Sequence, residues 1–135
     1  MIRLTTKLMV ADVNKTIEYY EKNLNFTFSV GIDDKEEIIT ETSNKSILFW
    51  AMIKNGDVEL ILQSENKFSE QLPEFKNHES GGTFTLYFNM KDVDIFYNKI
   101  KNKVDIVKDI YQTIYEADEF VVRDLNGYML CFSEI

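Results

Sequence analysis

One pattern in this chain occurs twice. Residues 4 to 11 alternate in polarity as a strand, Asp12 follows as a helix cap, and Val13, Ile17, Tyr20 and Leu24 then recur at helical spacing. Residues 83 to 90 alternate again, Asp92 takes the capping position, and Val93, Phe96, Tyr97 and Ile100 trace a second amphipathic helix. Strand-like segments follow each helix, and each copy contains a hairpin turn, Asn55-Gly56-Asp57 in the first and Asn126-Gly127 in the second. A few strands and one helix cannot bury a sheet alone, so the repeat predicts two stacked modules in one α+β domain.

The remaining segments fit that frame. In the first copy residues 26 to 32, 47 to 53 and 58 to 63 read as strands, and residues 38 to 42 either extend the first of these or begin the next. In the second copy strands are expected at 104 to 110, 120 to 123 and 128 to 133. The stretch between the copies holds the chain's one proline, Pro73, its one histidine, His78, and the run Ser80-Gly81-Gly82. It reads as a linker with room for a helical turn. The predicted organisation is a single domain, 1–135, with module one about 1–63, a linker about 64–82 and module two about 83–135.

Composition narrows the partners. Fifteen basic residues against twenty-three acidic ones give a net charge of −8, and no segment concentrates Lys and Arg with aromatics, so nucleic acid is not an expected partner. No continuous apolar segment follows Met1, so no secretory leader is expected, and the longest apolar run, residues 47 to 53, falls far short of a bilayer span. A single cysteine, Cys131, forms no intrachain disulfide and suits a reducing cytoplasm. These features predict a cytoplasmic protein with no membrane partner.

Two stretches carry a family resemblance. Leu8-Met9-Val10-Ala11-Asp12-Val13 precedes Thr16-Ile17-Glu18-Tyr19-Tyr20 and Leu24-Asn25-Phe26, and the chain closes on the hairpin from Phe120 to Glu134. In these it resembles the vicinal oxygen chelate superfamily, which includes glyoxalase I, extradiol dioxygenases and bleomycin-resistance proteins. The resemblance implies two βαβββ modules forming curved sheets around a cleft, helices outside, and a homodimer. It also implies a place for metal ligands on the first and last strand of each module, which here hold Thr5, Glu59, Thr85 and Cys131. Threonine hydroxyls are weak neutral ligands, and one thiolate with one carboxylate leaves a divalent ion under-coordinated, so no metal or other cofactor is expected. His78, alone in a polar linker, adds nothing to that set.

The expected binding residues are these four together with Lys7, Trp50 and Tyr87. Lys7 is a possible partner for the Glu59 carboxylate, and Trp50 and Tyr87 are the aromatics chosen for stacking. The function expected from the missing ligands and the acidic surface is binding or sequestration of a small aromatic or cationic compound, as in antibiotic-resistance members of the family. The alternatives are an enzyme, either a metal-dependent lyase or dioxygenase using Glu59 or an acid–base catalyst pairing Glu59 with Tyr87 or Lys7, and a partner-binding module with a vestigial cleft.

Overall fold

The computed structural model describes residues 1–41 and 46–135. It divides into two compact units, Met1–Ser80 and Gly81–Ile135. The first contains β1 (Thr6–Val10), α1 (Val13–Leu24), β2 (Thr27–Asp33), β3 (Ile38–Ile39), β4 (Leu48–Asn55), β5 (Val58–Ser64) and α2 (Glu65–Gln71). The second contains β6 (Thr85–Met90), α3 (Val93–Ile100), β7 (Asp105–Gln112), β8 (Asp118–Arg123) and β9 (Met129–Glu134). The predicted α+β architecture is present: one open sheet in the order β1-β5-β4-β2-β3 and another in the order β6-β9-β8-β7. Each unit's first strand pairs in parallel with its last long strand, β1 with β5 and β6 with β9. Register shifts in the β2–β4 and β7–β8 ladders bend the strands and curve the sheets. Ile38 and Ile39 form a separate strand rather than an extension of β2, and Thr42, where that prediction ended, lies outside the described residues. Among the described residues no helix is long and apolar enough to cross a membrane.

α1 and α3 each cover one face of their own sheet. Asp12 caps α1 as expected, its carboxylate accepting from Lys15 N–H at 3.0 Å. The helix ends where Asn25 turns left-handed (φ 59°) and Phe26 N–H donates to the Tyr20 carbonyl at 3.2 Å. Its buried face of Val13, Ile17, Tyr20 and Leu24 packs on a sheet whose buried residues include Leu8, Val10, Ala51, Ile53, Leu60 and Leu62. In the second unit α3 lays Phe96 against Phe132, centroids 5.1 Å apart, within a ladder in which Phe132 stacks on Phe88 and on Phe120 at 5.1 and 5.2 Å. Asp92 occupies the capping position of α3 but makes no side-chain cap bond; it adopts φ 59°, and the Glu134 carboxylate from β9 accepts from Asp92 and Val93 N–H at 3.1 and 3.3 Å instead. A carboxylate at a helix N-terminus also complements the dipole, so the cap comes from the far end of the unit.

Three turns share one construction. Asp33 accepts from the backbone of Lys35 and Glu37 through Oδ1, and Asp124 accepts from Asn126 and Tyr128 in the same way. Thr113 makes the corresponding side-chain bond to Ala117 N–H at 3.1 Å. In each, the fourth residue has positive φ: Glu36 at 62°, Glu116 at 64° and Gly127 at 91°. Only the last is glycine. Left-handed geometry strains a residue with a Cβ, whereas glycine adopts it freely but loses more entropy on folding. Glu36→Gly and Glu116→Gly should therefore each raise stability by about 0.5–1 kcal/mol in urea titrations. A loss of stability in both would show that the glutamates are not strained there.

Candidate functional site

α1 and α3 each cover one face of their sheet and leave the opposite face as the candidate site, although α2 reaches that of Met1–Ser80 at Lys7. In Met1–Ser80 that face crosses Ile32, Trp50 and Gln63 in one row and Val30, Met52, Ile61 and Lys7 in the next. Trp50, Met52 and Ile61 are half-buried, and the Gln63 Oε1 is enclosed with no hydrogen-bond partner among the described residues. An orphaned buried carbonyl is unfavourable, so Gln63→Leu should leave thermal stability unchanged or raise it by up to about 1–2 kcal/mol. A clear loss would mean that the amide is satisfied in solution. Two cavities, about 670 and 380 Å³, open beside the start of α1, where Asp12 and Asn14 border both. None of the seven residues singled out from the sequence lines either one.

In Gly81–Ile135 the helix-free face is polar and aromatic. The strand pairings place Tyr87 beside Cys131, Cys131 beside Val121, Val121 beside Lys108, and in the adjacent row Ser133 beside Glu119 and Glu119 beside Tyr111. Glu119 sits at the centre with 7% exposure. The Tyr111 hydroxyl donates to its Oε1, and the Tyr87 hydroxyl donates to its Oε2 at 3.0 Å. Tyr115, in the turn after β7, reaches Oε2 at 3.4 Å and stands 3.3 Å from the Tyr87 oxygen. Half of Tyr87 and nearly two thirds of Tyr115 remain exposed. The Lys108 ammonium lies 3.8 Å from the centre of the Tyr111 ring. Among the described residues no cation forms an ion pair with Glu119; the ion pairs are Arg3–Glu59, Lys67–Glu70 and Arg123–Asp105.

The electrostatics follow from this arrangement. Burial, the largest single influence, pushes the Glu119 carboxyl up, but hydrogen bonding from Tyr111 and Tyr87, with help from the Ser133 and Cys131 side chains, outweighs it and the pKa falls. The Ser133 hydroxyl draws Tyr87 down, while Tyr115, burial and Glu119 together hold it at about 12. Tyr111 is raised by its bond to Glu119 and by burial. Cys131 is pushed up to about 12, first by burial and then by the Glu119 charge. At neutral pH Glu119 is a carboxylate beside the protonated Tyr87 and Tyr111 phenols and the protonated Cys131 thiol. Such a group favours folding while the unfolded chain's glutamate is also ionised, above its ordinary value of 4.5, and that contribution is lost as pH falls through the lower folded value. Wild type should therefore exceed Glu119→Gln in stability at neutral pH, with the difference closing in acid. Parallel urea midpoints across pH test this, and a gap that widens in acid would reverse the sign.

A model of the Glyoxalase/Bleomycin resistance protein/Dioxygenase superfamily matches residues 3–132. The chain belongs to this superfamily. Solved structures agree at the level of fold. Hypothetical protein SA1046 from S. aureus is 19% identical with a TM-score of 0.72, covering 100% of this chain and 95% of its own. A superfamily enzyme from Burkholderia phytofirmans PsJN is 16% identical with a TM-score of 0.71, covering 97% and 96%. TioX from Micromonospora sp. ML1 is 12% identical with a TM-score of 0.67, covering 99% and 96%. Among curated proteins none matches.

The superfamily's metal positions do not fit a divalent ion here. Glu59 is engaged by Arg3 rather than by Lys7, the partner expected from the sequence; Lys7 instead donates to Gln71 at 3.1 Å and stands over the Phe68 ring. Cys131 holds its proton, and Thr5 and Thr85 offer neutral hydroxyls. Among the described residues no three His, Cys, Asp or Glu side chains gather as a metal site. A thiol with that pKa is also a poor nucleophile.

The structure assigns Thr5, Lys7, Trp50 and Glu59 to the first unit and Thr85, Tyr87 and Cys131 to the second. Tyr87 and Cys131 are direct neighbours, and Thr85 lies on the same face one pair further along, exposed beside Met129. The central residue, Glu119, was missed, as were the roles of Tyr111 and Tyr115. The hairpin could have revealed Glu119: with the Asp124–Tyr128 turn fixed, Glu119 falls opposite Ser133, on the face already given to Cys131.

Proposed function

We propose that this superfamily member binds a small organic cation on the helix-free face of Gly81–Ile135, holding it without a metal and without turning it over. The observation that carries the reading is Glu119, a buried carboxylate kept ionised by tyrosine hydroxyls and left without an ion-paired cation among the described residues. At 4 Å and an effective dielectric near 20, a monovalent cation gains about 4 kcal/mol from such a charge before its own desolvation. The Tyr87 and Tyr115 rings add cation–π attraction where they flank the guest. The net charge of −8 draws cations toward the surface. Of the residues expected from the sequence, Tyr87 is retained as a wall, Thr85 as a rim residue and Cys131 as part of the floor. Thr5, Lys7, Trp50 and Glu59 belong to a separate part of the proposal, a second surface on Met1–Ser80 of mixed polar and apolar character. A cytoplasmic location and a homodimer complete this reading, and native mass spectrometry tests the dimer.

Matched probes test the charge requirement. Isothermal titration would compare benzyltrimethylammonium and benzylammonium with benzyl alcohol and benzoate. A fragment of this size should bind with a dissociation constant on the order of 1 mM. At least one cation should bind about tenfold or more above the neutral and anionic compounds, and Glu119→Gln should remove that margin. Equal binding of all four, or a margin that survives Glu119→Gln, would end the reading.

A further inference from the structure

We propose that the Glu119 face selects a quaternary ammonium, a nitrogen with no N–H to donate, over a primary ammonium or a guanidinium. This rests on Glu119 as a cation site and narrows the class of cation. An ionised carboxylate has about four acceptor positions. Tyr111 takes one on Oε1, and Tyr87 and Tyr115 converge on Oε2 at 3.0 and 3.4 Å. Tyr115 also lies within hydrogen-bond distance of the Tyr87 oxygen, so the phenol protons are committed inward, to the carboxylate or to each other. An incoming –NH₃⁺ brings three donors and a guanidinium five. About one position is left, so either cation can place a single donor on Glu119; each further donor must displace a tyrosine hydroxyl and leave that phenol without its acceptor, or lose water with no better partner than a neutral phenol oxygen.

A tetraalkylated nitrogen avoids both penalties. Its charge is spread over methyl groups that need no acceptor, and it interacts with Glu119 through space and with ring faces by contact. The face already shows this mode of contact. Lys108 rests 3.8 Å from the centre of the Tyr111 ring and forms no ion pair with Glu119. Tyr87 and Tyr115 leave ring surface exposed, at 50% and 64%, for a guest to cover.

The experiment is calorimetric titration of the whole protein with benzyltrimethylammonium and with benzylammonium at neutral pH, repeated for Tyr115→Leu and Glu119→Gln. Wild type should bind the quaternary probe about tenfold more tightly than the primary one. Tyr115→Leu, at an exposed position, should fold normally and lose most of that preference, and Glu119→Gln should weaken both probes. Equal or tighter binding of benzylammonium would overturn the selection while leaving the cation reading standing. Failure of both probes to bind would overturn the two together. A preference unchanged by Tyr115→Leu would also overturn the proposal, because the ring faces would then not be its source.

Discussion

Replacing Phe120 with alanine should destabilise the protein by about 3–5 kcal/mol, a large fraction of the 5–15 kcal/mol typical of a folded domain. Phe120 is completely buried. It stacks on Phe132 at 5.2 Å, meets the Tyr97 ring edge-on at 5.1 Å and lies 6.0 Å from Phe96. Removing it takes away the residue through which β8, β9 and α3 meet, and a rigid aromatic ladder collapses poorly into the space left. Phe120→Leu keeps most of the volume and should lose about half as much. Urea unfolding of both variants reads the difference directly. A loss below about 1 kcal/mol for Phe120→Ala would mean that the ladder repacks and is not a cooperative core. Glu119 is the next residue along the strand, pointing to the opposite face, so the same substitution should also loosen the tyrosine cluster.

Asp124→Ala should cost about 2–4 kcal/mol, a large effect for a turn residue. Its carboxylate is buried at 4% exposure, and Oδ1 accepts from Asn126 N–H at 2.8 Å and Tyr128 N–H at 2.9 Å. Alanine leaves both donors without that acceptor, and the Tyr128 amide is buried. Asparagine keeps an amide oxygen in the same place, so Asp124→Asn should cost only about 1 kcal/mol. The comparison separates hydrogen bonding from charge. If asparagine proves as damaging as alanine, the negative charge matters more than the two bonds. Asp33, with the same two-bond geometry in the first unit, should respond in parallel.

The sequence made the repeat legible because its carriers are periodic. Val13, Ile17, Tyr20 and Leu24 announce α1, and Asn126-Gly127 announces the last hairpin, through spacing and backbone preference that need no tertiary context. The β2–β3 and β7–β8 turns were less visible. Their left-handed residues are Glu36 and Glu116, and glutamate gives no sign of positive φ; the anchoring Asp33 and Thr113 impose it. The α2 helix was also hidden, since only Phe68 of its seven residues is buried and its sequence is otherwise polar. The cap of α3 could not be read locally, because Glu134 supplies it from forty-two residues away. Glu119 was obscure for a related reason. Its surroundings come from β6, β7, β9 and a turn, and no single segment contains the pattern.

The parallel pairing of β6 with β9 also bears on how the chain is made. β9 lies between β6 and β8, so these two have no sheet partner in common until residues 129–134 are available. In Met1–Ser80 the corresponding strand, β5, is complete by Ser64. At a synthesis rate of about 5–20 residues per second, the first sheet gains a lead of roughly 4–14 s over the second. During that interval the emerging β6 and β8 carry open strand edges and exposed aromatic side chains. Ribosome stalling or truncation before residue 129 would thus leave the segment from Gly81 onward, rather than Met1–Ser80, as the source of aggregation and the region needing chaperone protection.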